Sequence, residues 1–141
     1  MKQRKILTVL EVILLILFQV SILIWVHTAI KNESPAITQT INLMLLGYKH
    51  DDAEQVYEQR VSIEQGGRLS LDDIRSTLAG PDLEFELYQS IDVEVLRVIP
   101  WLDLLRLRDN EAIARVVLTY ENGCQVPFVF VLHQIDGEWK V

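Results

Sequence analysis

General acid–base or nucleophilic chemistry needs histidines, paired carboxylates or an activated thiol, and the 141-residue chain offers few of these. Its histidines are His27, His50 and His133. His27 falls in a long apolar stretch near the N-terminus. His50 lies in the link between two helical patterns, where a solvated side chain is the default. His133 is the one candidate for a general base. It belongs to the apolar run 125–135, where strand alternation puts it on a face with Val129, Val131 and Ile135, opposite Phe128, Phe130 and Leu132. If that face lines a pocket, His133 can take a proton there; if the aromatic face does, His133 points outward. No acid–base partner for it is identifiable, so no catalytic residue is assigned, and His133 reads as a structural histidine near a strand end.

The carboxylates are equally plain. Asp72 and Asp73 complement a helix N-terminus. Glu84 with Glu86, and Asp92 with Glu94, stand at i, i+2 on one face of a strand; four such groups are hard-cation ligands in principle, but read here as solvated strand faces. Arg106 and Arg108 read as an exposed strand edge and Trp101 as a core residue. Cys124 is the single cysteine, so neither an intrachain disulfide nor a Cys-based zinc site can form. No phosphate-binding glycine loop, nucleophile elbow or His-x-x-x-His pattern is present. No cofactor and no metal are expected.

Charge is distributed unevenly. The first 35 residues carry four bases and two acids, whereas the other 106 carry nine bases and eighteen acids, a net charge of −9. So acidic a domain repels a phosphate backbone, whose binding depends on Lys and Arg, and nucleic acid is excluded as a partner.

What positions these residues begins with residues 6–30, of which seventeen are Leu, Ile, Val or Phe. Twenty-five residues make about 37 Å of helix against a hydrocarbon core of about 30 Å. Their insertion energy, on the order of −5 to −10 kcal/mol, outweighs the at most 2.5–3.5 kcal/mol, roughly, charged to Glu11. Lys2, Arg4 and Lys5 precede the span and only Lys31 follows closely, so the N-terminus is expected inside and the remainder outside the cytoplasmic membrane. A cleaved signal peptide is the rival reading, but its apolar region is shorter and His27-Thr28-Ala29 is a poor cleavage site. Glu11 either snorkels towards Lys5 or forms, with Gln19 about 80° around the helix, a polar seam against another membrane helix.

Residues 1–5 thus form a basic tail, 6–30 the span, 31–35 a linker and 36–141 a soluble domain. Pro35 disfavours helix at Ser34, which marks the linker. Ile37, Ile41, Met44 and Leu45 follow helical spacing, as do Ala53, Val56 and Tyr57 after Gly47. Ser70-Leu71-Asp72-Asp73 reads as an N-cap with an acid three residues on, opening a helix over 71–79 that Gly80-Pro81 ends. Beyond Pro81 the period becomes two: residues 83–87, 91–95, 102–108, 111–120, 125–135 and 138–141 read as strands. Asn122-Gly123 and Asp136-Gly137 close hairpins, and pairing of the run 125–135 is expected only after Pro127. The fold class is α+β, with helices packed on one face of an antiparallel meander.

The stretch Leu45-Leu46-Gly47-Tyr48 with Asp52-Ala53 and Tyr57, the capped helix at Ser70, and the ending from Tyr120-Glu121-Asn122-Gly123 through Phe128–Leu132 to Asp136-Gly137-Glu138-Trp139-Lys140-Val141 together resemble the nuclear transport factor 2-like (SnoaL-like) superfamily. The resemblance covers about residues 36–141. It implies a cone: about three helices on a curved sheet, with a pocket at the open end. It also implies one of several activities: small-molecule enzyme, ligand carrier or catalytically silent interaction module, the last including membrane-anchored assembly parts. With no catalytic pair in view, the expectation is a single-pass, extracytoplasmic, non-catalytic binding or assembly module; the alternatives are an enzyme of the same fold or a secreted carrier using the pocket, whose ligand is unspecified.

One strand carries a partner expectation. From Val126 to Leu132 it is apolar on both sides, whereas a strand with one wet face alternates. Helices account for one face. The other leaves Val129 and Val131, joined by Val117 of the neighbouring strand, as a patch of the kind that marks interfaces. A homodimer or a larger membrane complex is expected to cover it, with Glu11 and Gln19 as candidate contacts inside the bilayer.

Overall fold

Apolar residues four apart from Ile22 through Val26 to Ile30 resume in the same helical phase seven residues on, at Ile37, and continue through Ile41 and Met44, and the chain follows them as one helix, α1 (Lys2–Lys49). The computed structural model describes residues 2–60, 70–79, 87–99 and 110–141, with side chains from Leu10 onward. Residues 83–86 and 102–108, the breaks at Gly66-Gly67 and Gly80-Pro81, and Trp101 lie outside the described residues.

The break expected at residues 31–35 is therefore absent: Pro35 lies inside α1. A proline within a helix forfeits one backbone hydrogen bond and crowds the preceding turn, about 3 kcal/mol. Burial offsets this. Ile37, Ile41, Met44 and Leu45 are all buried, each contributing about 1.5–3 kcal/mol, and they can meet the sheet together only if the helix stays in register. Two bonds to the last strand pin the same segment: the Trp139 indole N–H donates to Glu33 Oε2 at 2.8 Å, and Thr40 Oγ1 donates to the Trp139 carbonyl at 3.1 Å.

At its far end α1 turns into α2 (Ala53–Gln59) through Asp51, whose φ is 56°. Gly47 permits this close turn: a Cβ there would lie 2.8 Å from Val56 Cγ2. Asp52 caps α2 by accepting from the Gln55 N–H. The third helix, α3 (Leu71–Leu78), opens with the expected cap: Ser70 Oγ accepts from the Asp73 N–H and Asp73 Oδ2 accepts from the Ser70 N–H.

The sheet is a curled antiparallel meander of β1 (Tyr88–Ile99), β2 (Asn110–Tyr120), β3 (Gln125–Ile135) and β4 (Glu138–Lys140), paired in that order. With the preceding helices it gives the α+β class. Asp136 and Gly137, at φ 51° and 85°, make the two-residue turn between β3 and β4; Gly123, at φ 76°, ends the three-residue loop before Cys124. Pairing of β3 does not wait for Pro127, as expected, but runs through it, with Val117 opposite Pro127 and Thr119 opposite Gln125. Tyr120 N–H bonds to the Cys124 carbonyl, and alternation from that pair puts the nitrogen of Pro127 on the side away from β2. Its missing N–H costs that ladder nothing.

Two irregularities in β1 set the inner face. Register slips between Tyr88 and Ser90 and between Val95 and Arg97. Strict alternation from Val93 and Val95 would aim Arg97 at the core. The extra residue, Leu96, resets the phase, so that Val98 is buried opposite Ala112 and Arg97 stands outside opposite Ile113. Bulges of this kind also bend a strand, in keeping with the curl. The core joins Ile37, Ile41 and Leu45 of α1 and Val56 of α2 to Ala112, Ala114, Val116, Leu118, Leu132 and Trp139 of the sheet. Phe128 and Phe130 pack against it, their rings 6.5 Å apart.

Candidate functional site

The concave side of the sheet is occupied by the chain's own helices. The aromatic face of β3 turns inward, and His133, on the opposite face, is directed away from the core. It stands opposite Glu111 on β2 and Lys140 on β4. His50 is exposed beyond the end of α1, and His27 is exposed on the apolar part of that helix. No two histidines are brought together. Asp92 and Glu94 project from the outer face of β1, where Glu94 lies 3.9 Å from Arg115 Nη1; Glu84, Glu86, Arg106 and Arg108 lie outside the described residues. Among the described residues no cluster of His, Cys, Asp and Glu could hold a metal ion.

At the C-terminal end of α1, away from its membrane-length part, lies an open hollow of about 730 Å³ lined by Lys49, Tyr88, Gln89, Tyr120, Glu121 and Asn122 among others. Lys49 closes one side by donating to the Tyr88 carbonyl at 2.9 Å, with its ammonium 4.6 Å from the centre of the Tyr88 ring. Burial pushes the Tyr88 hydroxyl above its ordinary pKa, which removes it further from acid–base use at neutral pH. The hollow is open, and its lining mixes polar and apolar side chains.

The outer face is different in kind. Val129 is 65% exposed and Val131 45%. Register sets Ile113 opposite Val131, Arg115 opposite Val129 and Val117 opposite Pro127, so Val117, Val129 and Val131 share a single apolar surface. Arg115 crosses it towards Glu94, and β1 borders it with Asp92 and Glu94. Glu11 and Gln19 are exposed on the membrane-length part of α1, about 12 Å apart along the axis. That part is long and apolar enough to cross a bilayer: an 18-residue stretch of it has a mean hydropathy of 2.3, and none of that stretch is buried inside the fold.

No protein family matches the chain, and no curated protein or solved structure is significantly similar to it.

What sequence reasoning missed is the junction of Glu33, Thr40 and Trp139. Weighing Pro35 as a break hid it. The signal that could have found it is the helical spacing of apolar residues, which runs across Pro35 without a change of phase.

Proposed function

We propose that this chain is a single-pass protein of the cytoplasmic membrane, with its N-terminus inside, that displays an α+β domain on the extracytoplasmic side as a non-catalytic binding and assembly module. The observation that carries this reading is the contrast between the two sheet faces: the concave face is filled by the chain's own helices, while Val129 and Val131 are left in water. A contiguous apolar surface of that kind is what an interface buries. The element order and the curled sheet are compatible with a nuclear transport factor 2-like cone, and the module reading is one that such a fold accommodates.

Orientation is tested by Cys124, which is exposed beside the β2–β3 loop. Treating intact cells with a membrane-impermeant maleimide should label it; labelling only after lysis reverses the topology. The module reading is tested by Val131→Lys in the full chain. Because Val131 is nearly half exposed, the variant should fold and insert normally, yet lose most of the high-mass species that the wild type gives after crosslinking in membranes. An unchanged crosslinking pattern would sink the reading.

A further inference from the structure

In an α-helix eighteen residues make five full turns, so residues i and i+18 share one azimuth. α1 is continuous, and the domain-facing side of its outer half therefore projects down the membrane half. Ala29 and Ile37, at 8% and 0% exposure, face the domain core. Eighteen residues below them stand Glu11 and Gln19. Ile22 likewise lies below the buried Thr40, and Val26 below Met44. The polar seam of the span thus lies on the same side of α1 as the sheet, directly beneath the domain. Two other polar residues of the span are satisfied within the helix: Ser21 Oγ and Thr28 Oγ1 donate to the carbonyls of Leu17 and Ile24, at 2.8 Å each. Among the described residues Glu11 and Gln19 make no such bond, and Gln19 sits close to the middle of residues 6–30, where an unmet amide is costly.

A second copy docked through the outer valine face does not meet this seam. Two membrane helices in contact lie 8–10 Å apart. Each copy, however, carries its own sheet on the seam side, and helix, sheet, sheet and helix stacked at about 10 Å per layer hold the two spans on the order of 30 Å apart. A dimer built through the outer valine face therefore separates the spans instead of joining them.

Resting on the module reading above, we infer that the occupant of the seam is a transmembrane helix of a different integral membrane protein. That helix presents a hydrogen-bonding side chain at the depth of Gln19, its outer end lies flush with the bilayer beneath this sheet, and another part of the same protein covers the Val129 face. One partner, bound on one side, meets two surfaces of this chain.

The test places a photoreactive residue at position 19, 17 or 129 of the full-length chain in the membranes of the cells that make it. Leu17 lies about 160° around α1 from Gln19 and serves as the control. Positions 19 and 129 should give adducts of one and the same mass, larger than the chain and different from its dimer, while position 17 gives lipid adducts alone. Gln19→Leu should lower the yield at position 129 by about threefold, the factor carried by one interhelical hydrogen bond. A self-adduct at position 19, or adducts of different mass at 19 and 129, overturns the inference. Lipid alone at position 19 with a protein adduct at 129 also overturns it but leaves the module reading standing; no protein adduct at either position removes both.

Discussion

Leu23 and Ile41 stand eighteen residues apart on one helix and point the same way, yet Leu23 is 69% exposed and Ile41 0%. From Leu10 to Thr28 the surface of α1 is mostly apolar and none of these residues is buried in the fold. Above it the helix is one-sided: Ile37, Ile41, Met44 and Leu45 turn inward, and Asn42 and Gln39 face away from the core or lie at its margin. Composition alone would rank the lower half as the more important hydrophobic element. The difference in surroundings reverses that ranking. Lipid accepts any apolar side chain and requires only a sufficient total, whereas the interior is close-packed and requires a particular shape at each position.

The largest effect should separate these two residues. Ile41→Ala should lower domain stability by about 2–5 kcal/mol, the usual loss for a large aliphatic side chain in a filled core. Leu23→Ala, on the same face five turns below, should leave the domain's thermal midpoint in detergent unchanged. Circular dichroism melts of the two full-length variants decide the matter. Equal losses would mean that the lower half also packs against the domain, and the contrast would fail.

At the boundary between the halves, Glu33 should show an intermediate effect. Its carboxylate accepts from the Trp139 indole at 2.8 Å, a bond to a charged group. Glu33→Ala should cost about 1–2 kcal/mol and Glu33→Gln less, because the amide oxygen can still accept. A second readout sharpens the comparison. The distance between spin labels at position 24 and at the native Cys124 should broaden in Glu33→Ala if this bond fastens the span to the sheet. An unchanged distribution would assign that coupling to helix continuity alone.

Much of this arrangement was legible in the residues, and the failures have specific causes. Asn122-Gly123, Asp136-Gly137 and the box at Ser70 and Asp73 act within four residues, so local chemistry decides them. The valine face of β3 was visible because alternation survives any register. Pro35 misled because its local cost of about 3 kcal/mol is offset by contacts with a strand more than a hundred residues away. Tyr88 and Val98 were missed for a related reason: bulges at Gln89 and Leu96 reset alternation, and nothing in the sequence of β1 alone marks where phase must shift to keep Arg97 out of the core. Pro127 looked like a barrier to pairing until register showed which neighbour its nitrogen faces.

The smallest effect concerns α3, which is held in a different way from α1. Ile74 and Leu78 of α3 are buried and Leu71 packs at the edge of the core; its polar bonds among the described residues include the box with Ser70 and Arg75 bonded to Glu54 of α2. The Ser70 backbone N–H, and after it the hydroxyl, hold the Asp73 carboxyl below its ordinary pKa. The bond from Arg75 does the same for Glu54. A carboxylate whose folded pKa is depressed contributes stability that is fully present above its unfolded value, about 3.9 for Asp and 4.3 for Glu, and is lost as pH falls through the lower folded value. Acidification below about pH 4 should therefore loosen α3 while the apolar seat of α1 on the sheet persists. Both carboxylates are solvent-exposed, so the change should be local. Amide exchange read residue by residue across Leu71–Leu78 should accelerate, after correction for the intrinsic pH dependence of exchange, before Ile41 or Val116 loses protection. Asp73→Asn should reproduce part of that loosening at neutral pH and flatten its acid dependence. If α1 and α3 lose protection together as the pH falls, the domain opens as a single unit, and the distinction between its apolar and polar attachments disappears.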